Sequence, residues 1–267
     1  MPKIGAPVNP NSIPTSDDSA FANLNAGGSL AYQLSPEIIG LADIAVQSRS
    51  FFSNNSFDYQ SVDTSIGANF NLDTFQLLSK LQGQTMWLDG TSYRNIVGGL
   101  LQAQTDIANG QAAIFRQHNK LSYSSQSVRD AKRNTTGLAY SRAFDAPLSP
   151  SFYISTYTGE EDLNNANTRY LSNRFNGLRL GSSLRLTETL STTLQLSQEK
   201  REYNKDLYPL INVHRADTEK NVNLNANWRI NKHFSVIPSY TYTNNQSNIA
   251  FSDYTRHVFS VDLRFDM

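Results

Sequence analysis

Hydrophobic residues in this chain recur at every second position, in runs of about ten residues spread over most of its length. In residues 258–265 the odd positions are apolar, and most of the even positions are polar or charged. Residues 221–230 and 177–186 repeat this alternation. Because successive side chains of a strand point to opposite faces, each run predicts a β-strand with one apolar and one polar face. Helical periodicity is nearly absent, so the sequence predicts an all-β fold.

Turn-forming residues separate these runs and predict antiparallel hairpins. The short connections are predicted at residues 35–37, 71–73, 108–110, 145–150, 187–189 and 231–233. The long connections are predicted at residues 12–18, 49–58, 89–93, 124–130, 160–174, 204–213 and 245–253. About six short and about seven long connections in alternation predict about fourteen strands, with short turns at one end and long loops at the other. We expect a single domain over residues 1–267.

The alternation fits two environments. In a soluble β-sandwich the apolar face is buried between two sheets, whereas in a membrane barrel it contacts lipid and the polar face lines the lumen. Regular alternation of short and long connections favours the barrel, with periplasmic turns and extracellular loops. Aromatic residues also gather at both ends of the strands, as Trp87 and Tyr93 do near a long connection and Trp228 and Phe234 near a short one. Such girdles are typical of transmembrane β-barrels in the bacterial outer membrane.

Composition excludes several other classes of protein. The chain has 23 Lys and Arg against 23 Asp and Glu, and this neutral balance argues against nucleic-acid binding. It has no Cys, which removes disulfide scaffolds and thiolate metal sites. No apolar run is long enough for a transmembrane helix. The first residues lack the apolar core of a signal peptide, so we expect a mature or excised portion of a secreted chain.

The polar face of the predicted barrel is the first candidate site. The residues that parity and pattern assign to the lumen are Arg179, Arg185, Asn223, Asn225, Asn227, Arg229, Asp262 and Arg264, together with Gln76, Lys80, Gln82, Arg116, His118 and Lys120. Charged rings set selectivity in pores, but the same residues could instead pair across the lumen and brace it.

The seam between the first and last strands is the second candidate site. The predicted first strand, near residues 2–10, contains Pro2, Pro7 and Pro10 around Gly5. A proline has no N–H and cannot donate to a strand ladder, so this strand should pair weakly with the last one, near Val258 and Ser260. The pattern therefore predicts a lateral gate, with ordinary fraying of a terminal strand as the alternative.

Enzyme and metal signatures are missing from the sequence. The four His do not have the spacing of a zinc motif, and we find no nucleophile elbow, P-loop or dinucleotide fingerprint. The acidic run Glu160, Glu161 and Asp162 could bind a cation, although a solvated loop explains it as well. We expect no enzymatic activity, no cofactor and no metal.

The last hairpin carries a family resemblance. Ser247-Asn248-Ile249, then Tyr254 and Arg256, then a final alternating strand, resemble the end of the barrel in the surface lipoprotein assembly modifier family. The resemblance covers the whole chain in layout and the last hairpin in specific residues. Two features depart from the family: this sequence contains no tetratricopeptide-repeat domain, and its final residue is Met267 rather than an aromatic.

The resemblance implies a protein of the Gram-negative outer membrane that helps to move or display surface lipoproteins or secreted proteins. It implies as partners a lipoprotein or secreted client, the barrel-assembly machinery and a periplasmic repeat domain. The outer-membrane bilayer with its lipopolysaccharide is the expected surroundings. A passive porin or polysaccharide-export channel is the alternative function.

Overall fold

The computed structural model describes residues 19–53, 55–204 and 213–266, most of which form β-strands. These residues contain thirteen strands in one antiparallel sheet, and each strand lies beside its neighbours in the sequence. The strands are β1 Phe21–Ser35, β2 Ile38–Phe51, β3 Tyr59–Asn71, β4 Gln76–Leu88, β5 Thr91–Ile107, β6 Gly110–Tyr123, β7 Ala131–Ala143, β8 Ser151–Leu163, β9 Asn173–Arg185, β10 Leu190–Tyr203, β11 Ala216–Arg229, β12 Phe234–Ser247 and β13 Tyr254–Phe265. The predicted strand near residues 2–10 lies outside the described residues.

The connections follow the predicted alternation with one correction. All six predicted short connections separate strands as expected, and five of the predicted long connections do so too. The predicted long connection at residues 89–93 is wrong, because Asp89 and Gly90 form a two-residue turn between β4 and β5. Both residues have positive φ, 49° and 69°, as a type I′ hairpin turn requires.

The described chain divides into two compact units. The first contains the chain up to Thr105 together with Ile114–Thr136 and Glu161–Arg169. The second contains Asp106–Ala113, Gly137–Glu160 and the chain from Tyr170 onward.

Large apolar side chains are exposed on one face of the strands, which we call the apolar face. In the first unit these side chains are 51–72% exposed and include Leu24, Ile44, Ile66, Leu81, Val97 and Ile114. In the second unit they are 42–80% exposed and include Leu138, Phe152, Leu178, Leu224, Phe259 and Leu263. Exposed apolar area this extensive is unfavourable in water and is normal where lipid covers the protein.

Helices contribute little to the described structure. They are short 3-10 turns in connections at the long-loop end of the strands: Asn55–Phe57, Ser127–Arg129, Ala166–Leu171 and Ala250–Ser252. Across residues 19–53, 55–204 and 213–266, none of the helices has the length and apolar character needed to span a bilayer.

Candidate functional site: the polar face of the sheet

Asp43 is the centre of the polar face in the first unit. Its carboxylate accepts a hydrogen bond from Lys80 Nζ at 2.6 Å and from the hydroxyls of Ser65 at 2.7 Å and Ser29 at 2.8 Å. These donors come from strands β1, β3 and β4, while Asp43 is on β2. The single carboxylate therefore ties four strands together through charge-assisted bonds.

The Lys80 side chain reaches Asp43 by crossing a glycine. Lys80 on β4 pairs with Gly67 on β3, and its partner Asp43 is one strand further along. A Cβ built on Gly67 would lie 2.7 Å from Lys80 Cγ and 2.1 Å from the backbone oxygen of Ser79. Gly67 thus leaves the space through which the lysine stem passes.

A second crossing glycine lies on β5. Gly98 pairs with Gln82 on β4, and Gln117 Nε2 on β6 donates to Gln82 Oε1 at 2.8 Å. A Cβ on Gly98 would lie 2.0 Å from Asn119 Oδ1 and 2.2 Å from the backbone oxygen of His118. Glycine is required here because Asn119 and the His118 backbone of β6 approach this position closely.

Next to this crossing, amides and one arginine form a buried chain of hydrogen bonds. Gln84 Nε2 donates to Asp63 at 2.7 Å, and Arg94 Nη2 donates to Gln84 Oε1 at 2.9 Å. The Arg94 and Gln84 side chains are buried. The guanidinium thus contacts the Asp63 carboxylate only through the amide of Gln84, and its buried Nε has no hydrogen-bond partner among the described residues.

In the second unit, Tyr157 repeats the crossing arrangement with an aromatic ring. Its ring lies over Gly177, where an added Cβ would be 2.2 Å from Tyr157 Cζ. Beyond the glycine, the hydroxyl donates to Glu199 Oε2 at 2.9 Å. Glu199 also accepts a hydrogen bond from Arg201, and the Arg179 guanidinium lies 4.5 Å from the centre of the Tyr157 ring.

Nearer the long loops, the second unit carries a further ion pair. Arg215 donates from Nε and Nη2 to the Asp217 carboxylate at 2.8–3.1 Å, and Tyr203 OH donates to the same carboxylate at 3.2 Å. Burial works to lower the pKa of Arg215, but the hydrogen bond with Asp217 and the electrostatic attraction of Tyr203 and Asp217 together outweigh it, so the pKa is raised. Arg215 therefore remains a cation fixed to its carboxylate.

Towards the short turns, the polar face of the second unit is a ladder of amides and hydroxyls. Asn223 Nδ2 donates to Thr241 Oγ1 at 2.8 Å, and Asn225 Nδ2 donates to Asn223 Oδ1 at 3.3 Å. The next residue of the ladder differs: Asn227 Oδ1 is buried and has no hydrogen-bond partner in the part of the chain that the structure describes. The ladder thus contains an unsatisfied acceptor.

Packed apolar side chains lie at the long-loop end of the polar face. In the first unit Tyr59, Met86 and Leu121 are 1–3% exposed, and each lies near the end of its strand beside a connection. In the second unit Phe175 and Ile249 are each 1% exposed at the same end. Each unit thus combines a networked polar surface with a closely packed apolar cluster under its loops.

The predicted lumen residues fall mainly on this polar face. Arg179 and Arg185 lie on β9, Arg229 lies on β11 with the three asparagines, and Asp262 and Arg264 lie on β13 opposite polar-face positions of β12. The predicted lumen position of Arg116 is corrected by the structure. Arg116 is exposed on the apolar face, two residues after Ile114, whereas its neighbours Phe115 and Gln117 are buried. His118 and Lys120 lie on the same apolar face as Arg116.

Of the predicted seam residues, Val258 and Ser260 lie on β13, where Ser260 Oγ is 2.7 Å from Ser239 Oγ. β13 is at one end of the strand order and β1 at the other. Pro2, Gly5 and Pro7 lie outside the described residues, so the lateral gate stays a prediction.

Sequence reasoning missed the crossing glycines and Asp43. An isolated glycine within a strand pattern signals a close approach of neighbouring groups, and Gly67 and Gly177 had that signal, whereas Gly98 belongs to a Gly-Gly pair. The partners of each glycine could not be read without the strand register. For metals, the described residues contain no group of three or more His, Asp or Glu placed to hold an ion.

Comparison with protein families gives a match over nearly the whole chain. The model of the family described as surface lipoprotein assembly modifier matches residues 14–265. No curated protein matches the sequence significantly.

Comparison with solved structures identifies outer-membrane proteins. In-vitro folded OmpT, an outer membrane protein of Vibrio cholerae, matches 92% of this chain and 95% of its own, with a TM-score of 0.51 and 8% identity. Outer-membrane expressed OmpT of the same species matches 94% of this chain and 98% of its own, with a TM-score of 0.48 and 8% identity. The translocator domain of the autotransporter NalP from Neisseria meningitidis matches 92% of this chain and 87% of its own, with a TM-score of 0.32 and 10% identity.

The first of these matches shows the fold, which is that of an outer-membrane β-barrel. The predicted fold class and the predicted location in the outer membrane of a Gram-negative bacterium are confirmed.

Proposed function

Because the chain belongs to the surface lipoprotein assembly modifier family, we propose that it helps surface lipoproteins, or secreted proteins, to cross the outer membrane or to be displayed on it. The proposal includes no enzymatic step. It takes the barrel-assembly machinery and a periplasmic repeat domain as partners, as the resemblance of the last hairpin implies.

The observation that carries the proposal is the amide ladder of the second unit. Asn223, Asn225 and Asn227 alternate along β11, so their side chains recur about every 7 Å, which is the repeat of an extended polypeptide. Within residues 19–53, 55–204 and 213–266, the buried acceptor Asn227 Oδ1 has no partner, and a backbone N–H of a passing chain would satisfy it. Amides therefore offer hydrogen bonds to a peptide backbone without selecting its side chains.

The state of the charged groups supports the same proposal. Lys80 is paired with Asp43 and Arg215 with Asp217, so these cations brace the wall instead of attracting anions.

Reconstitution with a lipoprotein client tests the proposal. Vesicles containing the full chain should render the client accessible to external protease, and vesicles without it should not. Equal exposure of the client in both would contradict the function. A steady conductance in planar bilayers, unaffected by the client, would instead support the porin or polysaccharide-export alternative.

A variant pair makes the test specific to the ladder. Asn225→Leu combined with Asn227→Leu should slow client exposure severalfold while folding, read from heat-modifiable migration in detergent, is unchanged. The matched control is Asn176→Leu, because Asn176 is exposed on the opposite face of β9. If the control slows transport as much as the ladder variant, the ladder has no special role.

A further inference from the structure

A groove on the apolar face of the second unit runs across strands β7 to β10, and we call it the apolar groove. Its volume is about 240 Å³, which exceeds the roughly 150 Å³ that is enough for an apolar cavity to bind benzene. Its floor includes Ser182 on β9, whose small side chain pairs with Leu194 on β10. The large side chains that form its walls are Phe152, Ile154, Leu180, Leu194 and Leu196.

The lining of the apolar groove is almost entirely carbon. The five large side chains of its walls are 38–50% exposed. At one edge, the hydroxyl of Tyr140 already donates to the backbone oxygen of Ala108 at 3.0 Å. A peptide segment in the groove would find almost no partners for its backbone N–H and C=O groups, which is costly away from water. An acyl chain needs no such partners, so the lining fits an acyl chain.

A cation lies at the short-turn end of the apolar groove. Arg142 is the next-to-last residue of β7 and follows Tyr140 by two positions on the same face. The backbone N–H of Phe144 donates to the oxygen of Pro150 at 2.8 Å. Two residues further from the turn, the same antiparallel pairing places Arg142 opposite Phe152. The cation therefore adjoins a wall of the groove.

Aromatic rings connect the guanidinium to the groove. Arg142 Cζ lies 4.5 Å from the centre of the Phe144 ring, and this ring centre is 5.1 Å from that of Phe152. Stacking on a ring face fixes a guanidinium without using its N–H donors. In the described ranges 19–53, 55–204 and 213–266, no carboxylate lies within ion-pair distance of Arg142, and Asp145 and Glu188 of the adjoining short connections are exposed.

The position of Arg142 along β7 places it at the edge of the apolar band. A strand crosses the apolar part of a bilayer with about nine to eleven residues. β7 and β8 each have 13 residues, and counted from the long-loop end both Arg142 and Phe152 come after the eleventh. The short turns mark the periplasmic end of a barrel. The groove thus extends from the headgroups of the periplasmic leaflet into its hydrocarbon.

We propose that the apolar groove and Arg142 together bind one phospholipid of the periplasmic leaflet, with an acyl chain in the groove and the phosphate on the guanidinium. The two parts of the site match the two parts of this ligand in chemistry and in order along the membrane normal. A guanidinium binds phosphate oxygens through paired N–H donors. An acylated molecule without a phosphate would use the groove and leave the cation without its counterpart.

Native mass spectrometry of the purified full chain in detergent tests the proposal, with phosphatidylglycerol as the probe. Ser182→Phe, which fills the groove, and Arg142→Gln, which removes the cation, should each weaken lipid binding about fivefold or more. The matched controls lie on the apolar face outside the site. Ser79→Phe is on β4 opposite Leu101, and Arg174→Gln is at the long-loop end of β9, so both should bind as the unaltered chain does.

Three results would overturn the proposal. The first is equal affinity of a site variant and its control. The second is equally tight binding of diacylglycerol, which has the acyl chains but no phosphate. The third is tighter binding of an acylated lipopeptide, which would assign the groove to the anchor of a lipoprotein. Arg142→Lys preserves the charge and should retain most of the binding, and heat-modifiable migration verifies that each variant is folded. The measurement involves no client, so its failure is distinguishable from failure of the proposed transport function.

Discussion

Some positions of the polar face must be glycine, because a side chain there would collide with neighbouring atoms. Gly67 and Gly177 each lie beneath a side chain that bonds to a group on another strand, and Gly98 lies against the Asn119 side chain. A side chain at any of these positions would occupy the path. The polar networks therefore depend on glycines that make no polar contact of their own.

Gly67→Ala tests this dependence. The new Cβ would lie 2.1 Å from the Ser79 oxygen, which is backbone and cannot rotate away. We expect a loss of about 1–3 kcal/mol in the free energy of unfolding, measured by urea titration in lipid vesicles. Gly28→Ala is the control, since no heavy atom lies within 4 Å of its Cβ position, and it should be neutral or slightly stabilising. Equal stability of the two variants would contradict the crossing.

A double-mutant cycle tests the Tyr157 crossing. Tyr157→Phe removes the hydroxyl that donates to Glu199 and should cost about 1 kcal/mol in unfolding free energy. Gly177→Ala displaces the ring and breaks the same hydrogen bond. In the Gly177→Ala background, Tyr157→Phe should therefore cost much less. Additive effects in the same urea titrations would show that the hydroxyl and the glycine act independently.

At the scale of elements, strands and most turns could be predicted because alternation and turn residues are local signals. The hairpin at Asp89 and Gly90 could have been recognised as well, since Asp-Gly is a strong signal for a two-residue turn. The face of Arg116 could not be obtained by assuming that every charge points to the lumen, because Phe115 and Gln117 on either side of it are buried and alternation places it on the apolar face. The contacts of Asp43 depend on the register of four strands, which no local pattern encodes.

The alternation of connections also predicts the orientation of the elements. The chain has no cysteine, so a single introduced thiol can be labelled without interference. Ser125→Cys, in the exposed loop between β6 and β7, should react with a membrane-impermeant maleimide on intact cells. Lys232→Cys, in the short turn between β11 and β12, should react only after the outer membrane is disrupted. The reverse result would mean that the chain has the opposite orientation in the membrane.

At the scale of the whole molecule, the exposed apolar face has opposite consequences in water and in lipid. Leu81 is at the middle of β4 and is 68% exposed. If water surrounded this face, Leu81→Arg would be close to neutral, because exposed surface substitutions usually change stability little. If acyl chains surround it, an arginine near the bilayer centre costs about 2–4 kcal/mol.

We therefore expect Leu81→Arg to destabilise the folded chain by that amount in urea titrations with lipid vesicles, whereas Leu81→Met should change stability by less than about 1.5 kcal/mol. An arginine nearer the headgroups, Thr85→Arg on the same face of β4, should cost less than Leu81→Arg, because the penalty for charge declines towards the interface. A cost that is the same at both positions would mean that the apolar face does not cross a bilayer. A graded cost would place the middle of β4 near the bilayer centre.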